Sequence, residues 1–317
     1  MIINNYKAGN LRQACKWELL FLTRCASHYL QNGLQHKNAL FYPDYPDPRA
    51  AICGVIHELG YNIINNPNKD YDFAFYWQDV TVRDEPDAVL REAATRVPVI
   101  NLHCLDIGKL RVEEIFQETF GYTSFVDPLT HRGQCVRKSN LNAQHDGKII
   151  EAPIVGTEPG FIYQKLLSHV DFQDRVIDYR LAVYGSSTPY MTIRYKRKSN
   201  RFNHTFLEVP VDPLDYLTTA EISKCLQFCR RLGMDYGEID MIRDQSDGRL
   251  YLLDANNTPF RPPYDRQITP QQREDMCAKA AAAFRKNFLQ PTEADAIPAL
   301  LARGKKLAVA LPGGEQR

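Results

Sequence analysis

The pattern of apolar residues changes near residue 121, and that change constrains the fold more than any single motif. Before it, short runs of strand composition alternate with helical segments. Residues 39–42, 72–76 and 97–102 read as strands, and residues 50–59, closed by Gly60, and 87–96 read as helices. Such alternation predicts a small open parallel α/β layer, because parallel neighbours need a crossover. Ahead of it, Leu11, Cys15, Leu19, Leu20, Leu22 and Leu30 suit an amphipathic helix over residues 9–32, stopped at Asn32-Gly33. Residues 107–120, ending at Gly121, form one more predicted helix.

Strands then follow strands. Residues 134–138 and 148–151 flank the polar loop SNLNAQHDG, whose Asp146-Gly147 is a hairpin signal. Residues 161–167, 179–184 and 190–195 are also extended, the last two joined by GSSTP. A helix over 219–232 precedes Gly233, and residues 236–242 and 249–253 form a hairpin across Asp247-Gly248. A last helix, 270–288, leads into a Pro- and Gly-rich tail. This half predicts an antiparallel sheet with helices, an α+β arrangement. The expected divisions are an N-terminal α/β domain over 1–103, a small central subdomain over 104–160, a C-terminal subdomain over 161–290 and a tail over 291–317.

Composition narrows the function classes. The chain has 317 residues, enough for several packed subdomains, with 39 Lys plus Arg against 38 Asp plus Glu, so no global field draws it to nucleic acid or anionic lipid. No run of eighteen apolar residues occurs, which argues against a membrane partner. The eight cysteines are scattered without a CxxC pair, and no apolar stretch before a small-residue cleavage site opens the chain, so a reduced cytoplasmic protein is expected. Cys225 and Cys229, four apart on a predicted helix, read as buried structural thiols.

The hairpin GEIDMIRDQSDGRLYLLDANNTP carries the chemistry. Strand positions flanked by Ile239, Met241, Leu252 and Leu253 hold Asp240 on one arm, and Asp254 and Asn256 on the other. Residues two apart on a strand share a face, and the paired arm can bring Asp240 beside them. Three oxygen-bearing groups on one face suit Mg²⁺, which takes a few carboxylate oxygens together with substrate phosphates and water. Upstream, Arg180 and Arg194 offer planar forks suited to phosphoryl or acyl-phosphate oxyanions. In the basic run from Arg194 to Arg201, alternation places Arg194, Lys196 and Lys198 on one face and Arg197 away from it; a solvated loop or a nucleic-acid patch is the alternative reading.

Four segments together, QKLL at 164–167, IDYRLAVYG at 177–185, LGMDYGEID at 232–240 and YLLDANNTP at 251–259, resemble the ATP-grasp family in order and spacing. The resemblance spans roughly residues 97–260. It implies an ATP-grasp domain of antiparallel sheets and helices after the N-terminal α/β domain, with Asp240, Asp254 and Asn256 binding one or two Mg²⁺ ions that bridge the ATP phosphates. It further implies that Lys138 and Lys109 reach the phosphates, a solvated surface role being the alternative for Lys109. Gln164, Lys165 and Leu166 would form the adenine hinge, with Leu252 as an apolar platform beneath the ring. Asp254 stands where the family usually has Glu, and the usual glycine-rich flap is replaced by a loop with Gly147 alone, where Asn140, Asn142 and His145 are the polar residues available.

The commonest chemistry of the family is ligation of a carboxylate to an amine or thiol through an acyl phosphate, releasing ADP. The expected partners are therefore a small-molecule carboxylate and an amine, and the expected assembly is a homodimer. A kinase acting on a hydroxyl and a non-catalytic ATP-binding scaffold are the competing readings; retention of all three metal-ligand positions argues against the scaffold. Arg261, just past the metal strand, is a candidate for an acceptor carboxylate.

Overall fold

A computed structural model of the protein describes residues 37–289, apart from 142–143, 145, 203–204 and 263–266, together with Thr23. The apolar runs of the first hundred residues form four parallel strands, β1 (Asn38–Pro43), β2 (Asn62–Ile64), β3 (Phe73–Trp77) and β4 (Val99–Ile100), in the order β2-β1-β3-β4. β3, with the sequence FAFYW, is buried along its whole length, as suits a central parallel strand covered on both faces. On one face α1 (Ala51–Glu58) sends Ile52, Val55 and Ile56 into a core with Phe41, Phe73 and Phe75. On the other, Ala93 of α2 (Ala88–Ala94) meets Leu40 and Ala74. The sequence reading lacks β2, whose three residues are too few to display a period.

α3 (Lys109–Phe120) ends at Gly121, whose φ of 84° puts it in the left-handed region that glycine enters at least cost. Then β5 (Gly133–Ser139), β6 (Lys148–Ala152) and β7 (Phe161–Lys165) make an antiparallel sheet in the order β6-β5-β7. A second antiparallel sheet contains β8 (Arg175–Tyr184), β9 (Met191–Arg197), β10 (Thr205–Val211), β11 (Tyr236–Arg243) and β12 (Leu250–Asn256), ordered β10-β9-β8-β11-β12. α4 (Thr219–Leu232) precedes β11 with a Thr218/Glu221 capping box. At its end Gly233 is required by space: a Cβ there would lie 2.3 Å from the His103 carbonyl oxygen.

α5 (Pro270–Phe284) returns to the first sheet, where Phe284 packs against Phe73 with ring centroids 5.2 Å apart. The helix expected over 270–288 changes to a π-turn at Arg285–Leu289. Two other expectations shift: β7 stops at Lys165, and β8 starts at Arg175 rather than at residue 179. The sequence reading also lacks β10, because Pro210 interrupts its pattern; as the edge strand of its sheet it tolerates a missing N–H. The helix expected over 9–32 and the tail over 291–317 lie outside the described residues.

Strand alternation then divides the five-stranded sheet. Tyr179, Leu181 and Val183 of β8 and Ile239 and Met241 of β11 enter an apolar core with Ile115 and Phe116 of α3 and Cys225 and Phe228 of α4. The intervening residues, Asp178, Arg180, Glu238 and Asp240, face the other way. Asn101, at φ 61° beyond β4, joins the two sheets: its side-chain amide donates to the Tyr236 carbonyl (2.8 Å) and accepts from the Tyr236 N–H (2.9 Å).

Candidate active site

The β11–β12 hairpin places Asp240 directly opposite Asp254 and Glu238 directly opposite Asn256. Those four side chains share one face. Between Asp240 and Met241 the register slips by one, so that Met241 faces Leu252 and Leu253 becomes the extra residue of a β-bulge. This corrects the expected position of the apolar platform. Leu252 is 1% exposed in the core beside Met241, on the opposite face from Asp240, and the half-buried Leu253 packs against the same core.

Arg180 on β8 pairs in register with Asp240, and Arg194 on β9 pairs with Asp178. The result is a buried ion network. Arg180 grips Asp240 with a two-point fork (Nε–Oδ1 2.8 Å, Nη2–Oδ2 2.9 Å), and Arg194 Nη2 reaches the same carboxylate at 2.9 Å. Arg194 Nε also donates to Asp178, whose other oxygen takes Lys196 Nζ at 2.6 Å. Lys198, expected on the same face, instead pairs with the exposed Asp174, because β9 ends at Arg197.

The field of this network sets the protonation states. Burial opposes ionisation of Asp240, but the charges of Arg180 and Arg194 outweigh it and hold the carboxyl well below the usual carboxylate range. Glu238, 4% exposed, goes the other way: burial pushes it up to about 7, against a partial offset from Arg180. Its Oε2 has no hydrogen-bond partner, and Arg180 Nη1 stands 3.5 Å away. Burial also raises Asp254, countered by Lys109.

Lys109, first residue of α3, is not solvated. Its Nζ donates to the Leu141 carbonyl (2.8 Å) and lies 3.9 Å from Asp254 Oδ2, with the side chain 11% exposed. Burial lowers Lys138 of β5 to about 8, with Asp254 pulling in the opposite direction. Gln164 is buried and donates through its amide to Ser124 Oγ (2.6 Å). Lys165 donates its N–H to the Ser124 carbonyl (2.7 Å), accepts from the Leu167 N–H (2.8 Å), and sends Nζ to the Tyr251 hydroxyl (3.1 Å). Leu166, between these anchored residues, is half-buried.

Asn140 caps α3, accepting from the Leu110 N–H (2.8 Å), while Asn142 and His145 lie outside the described residues. Arg261 is turned from the cluster: its N–H meets the Arg49 carbonyl, and its guanidinium donates to the Pro48 carbonyl. Sequence alone assigns no role to four members of the charged face: Asp178, Lys196, Glu208 and Glu238. A signal exists for three, since Asp178, Lys196 and Glu238 lie two residues along their strands from Arg180, Arg194 and Asp240. Glu208, buried directly opposite Arg194, lies on β10, which the sequence reading lacks.

Among the described residues no group of three His, Cys, Asp or Glu side chains is arranged as a metal site. The donor set nonetheless fits a hard cation in kind. Asp254, Asn256 and the orphaned Glu238 Oε2 offer oxygen on adjacent strands. Asn256 Oδ1 accepts one hydrogen bond, from the Thr258 N–H at 3.1 Å, and keeps its second lone pair.

No family model matches the sequence, and no curated protein sequence matches it. Solved structures do. The ATP-grasp ligase PsnB complexed with minimal precursor, Mg and ADP is similar at a TM-score of 0.50 and 12% identity, covering 78% of this chain and 98% of that one. D-alanine–D-alanine ligase from Bacillus anthracis complexed with ATP gives a TM-score of 0.44 and 15% identity over 79% of this chain and 97% of that one. The macrocyclase MdnC bound with precursor peptide MdnA, from Microcystis aeruginosa MRC, gives 0.42 and 12% over 77% and 97%. The chain has the ATP-grasp fold, an assignment that rests on the first of these.

Proposed function

We propose that the protein is an ADP-forming, Mg²⁺-dependent ligase that joins a small-molecule carboxylate to an amine. The observation that carries this reading is the charged face of the five-stranded sheet, where two arginines and a lysine are held by Asp178 and Asp240 beside the oxygen donors of β12. A substrate carboxylate oxygen attacks the γ-phosphorus of ATP, the bond to the β–γ bridging oxygen breaks, and ADP leaves. The amine nitrogen then attacks the acyl carbon, inorganic phosphate departs with the bonding pair, and the surplus ammonium proton passes to solvent.

The chain's own groups supply what such a transfer asks, which is positioning and charge. Arg180 and Arg194 are pre-oriented by their carboxylate partners, so little reorganisation is needed when oxyanion charge develops beside them. Lys109 and Lys138 converge on Asp254 from α3 and β5, where they would meet the phosphates. The 164–166 segment would take the adenine edge. Asp254 and Asn256, with the orphaned Glu238 Oε2 beside them, would hold Mg²⁺, which when bound neutralises phosphate charge. Asp240, expected as a third ligand, has both oxygens engaged by Arg180 and Arg194 and orients those arginines instead.

The test is ADP release from ATP with pooled carboxylates and amines. ADP should form only when both classes are present, and Asp254→Asn should lower turnover at least about 10²-fold with an unchanged circular dichroism spectrum. A stable phosphorylated product without amine would replace the ligase by a kinase. ATP binding with no turnover on any pool would leave a scaffold.

A further inference from the structure

The order β2-β1-β3-β4 sends the chain from β1 to one side and later back to the other, so the sheet reverses direction between β1 and β3. In open α/β sheets a crevice forms beyond the carboxyl ends of the strands at such a point, because the connections diverge there, and ligands occupy it. A cavity of about 510 Å³ lies at this place, with charged walls from Asp44, Asp47 and Arg49 beyond β1 and from Asp79 beyond β3. It adjoins the candidate active site through one turn. Thr258 donates its N–H to Asn256 Oδ1 (3.1 Å) and its hydroxyl to Asp79 Oδ1 (2.7 Å).

The wall itself carries three carboxylates and one guanidinium, with Arg83 and Arg261 set behind it. Arg49 is matched to Asp47 by a two-point fork (Nε–Oδ1 2.9 Å, Nη2–Oδ2 2.8 Å). Asp44 and Asp79 are both exposed, and among the described residues neither forms an ion pair. Arg83, whose field reaches both, is buried behind the wall and directs its guanidinium at the Tyr76 and Gln78 carbonyls. Tyr45, 50% exposed, gives the lining an open aromatic ring, while Phe260 carries the Arg49 guanidinium over its ring (5.3 Å) and Trp77 is 3% exposed. Two exposed carboxylates without an ion-pair partner among the described residues, at the mouth of a crevice beside the exposed Tyr45 ring, offer acceptors for a cation carried on an apolar arm.

We propose that this cavity binds an organic cation, an alkylammonium group held by Asp44 and Asp79. Resting on the ligase reading above, it is the site of the amine co-substrate. The volume admits a short aliphatic amine, and the turn at Thr258 places it next to β12. The carboxylate co-substrate is left to the arginine-rich face of the five-stranded sheet.

Titration calorimetry on the full chain tests this with three probes of matched length: 1,5-diaminopentane, pentane-1,5-diol and glutarate. The diamine is expected to bind and the other two not. Asp44→Asn and Asp79→Asn should each weaken it about tenfold, and the double variant should abolish measurable binding, as loss of charge-assisted contacts predicts. Binding of a non-hydrolysable ATP analogue, unchanged in all variants, shows that they are folded. Equal binding of diol or glutarate, no binding of the diamine to the unaltered protein, or full diamine affinity in the double variant would each overturn the proposal. ADP release measured on the same samples separates the two readings. Diamine binding without turnover on any pool supports the cation site and removes the ligase, whereas turnover with no preference for cationic amines does the reverse.

Discussion

On β8 and β11, neighbouring residues meet opposite environments. Leu181 and Met241 have no exposed surface and pack among side chains of α3 and α4, while Arg180 and Asp240, one position away on the same strands, join a network of five charged groups on the cleft face. Both faces are largely buried, but different physics holds them. The apolar face is stabilised in proportion to area removed from water and tolerates exchange of one aliphatic group for another. The charged face is held by compensation, in which each ion is tolerable only while its partners remain. A sheet built this way can keep a rigid back while its front exchanges protein counter-charges for those of a substrate.

Removing Asp240 breaks the comparison most severely. Asp240→Ala removes both points of the Arg180 fork, leaving Glu238 at 3.5 Å and the charge of the buried Glu208 nearby, and takes from Arg194 one of its two carboxylate ion pairs. The expected cost is about 3–5 kcal/mol of stability, together with loss of all ATP turnover, read by urea denaturation and ADP release. Stability within about 1 kcal/mol of the unaltered protein would show that the network is loose and solvated. Leu181→Ala acts on the other face. It should cost about 4 kcal/mol through lost transfer energy and the cavity left behind, yet turnover per folded molecule should stay within about twofold, since a fold-change of that size is under 1 kcal/mol. A large fall in turnover at unchanged affinity for ATP would mean that the two faces are coupled.

What the sequence reveals of this site follows from how local each signal is. Asp254 and Asn256 share a face because strands alternate with period two, and that is readable from one segment. The same rule applied to Asp240 reaches Glu238. The bulge at Leu253 is not readable, because a slipped register belongs to two strands at once, and it turns Leu252 into the core. The forks from Arg180 and Arg194 require β8 to lie between β9 and β11, an order set by long-range pairing. The cation cavity is harder still: Asp44, Asp79 and Thr258 are distant in sequence and converge only once the parallel sheet is docked against β12. The helices and strands over residues 107–253 are legible where glycine punctuation is strong, at Gly121, Gly233 and Gly248, and are not where Pro210 hides an edge strand.

Glu238 sharpens the comparison by testing whether the charged face carries a group without full compensation. Its carboxyl lies at about 7 in the folded protein against 4.5 as an ordinary glutamate. Between those two values the folded state binds the proton that the unfolded state has released, so stability contributed by the protonated form is complete below pH 4.5 and declines as pH rises through 7. At about 1.4 kcal/mol per unit the decline amounts to about 3 kcal/mol. Glu238→Gln keeps the shape and removes the titration, and Arg180 stays compensated by the Asp240 fork. In metal-free urea denaturation at pH 5 and pH 8 the variant should gain on the unaltered protein as pH rises. Parallel pH profiles would mean that Glu238 is ionised in the fold with its charge already matched, which would make the front of the sheet as fully balanced as its back is fully apolar.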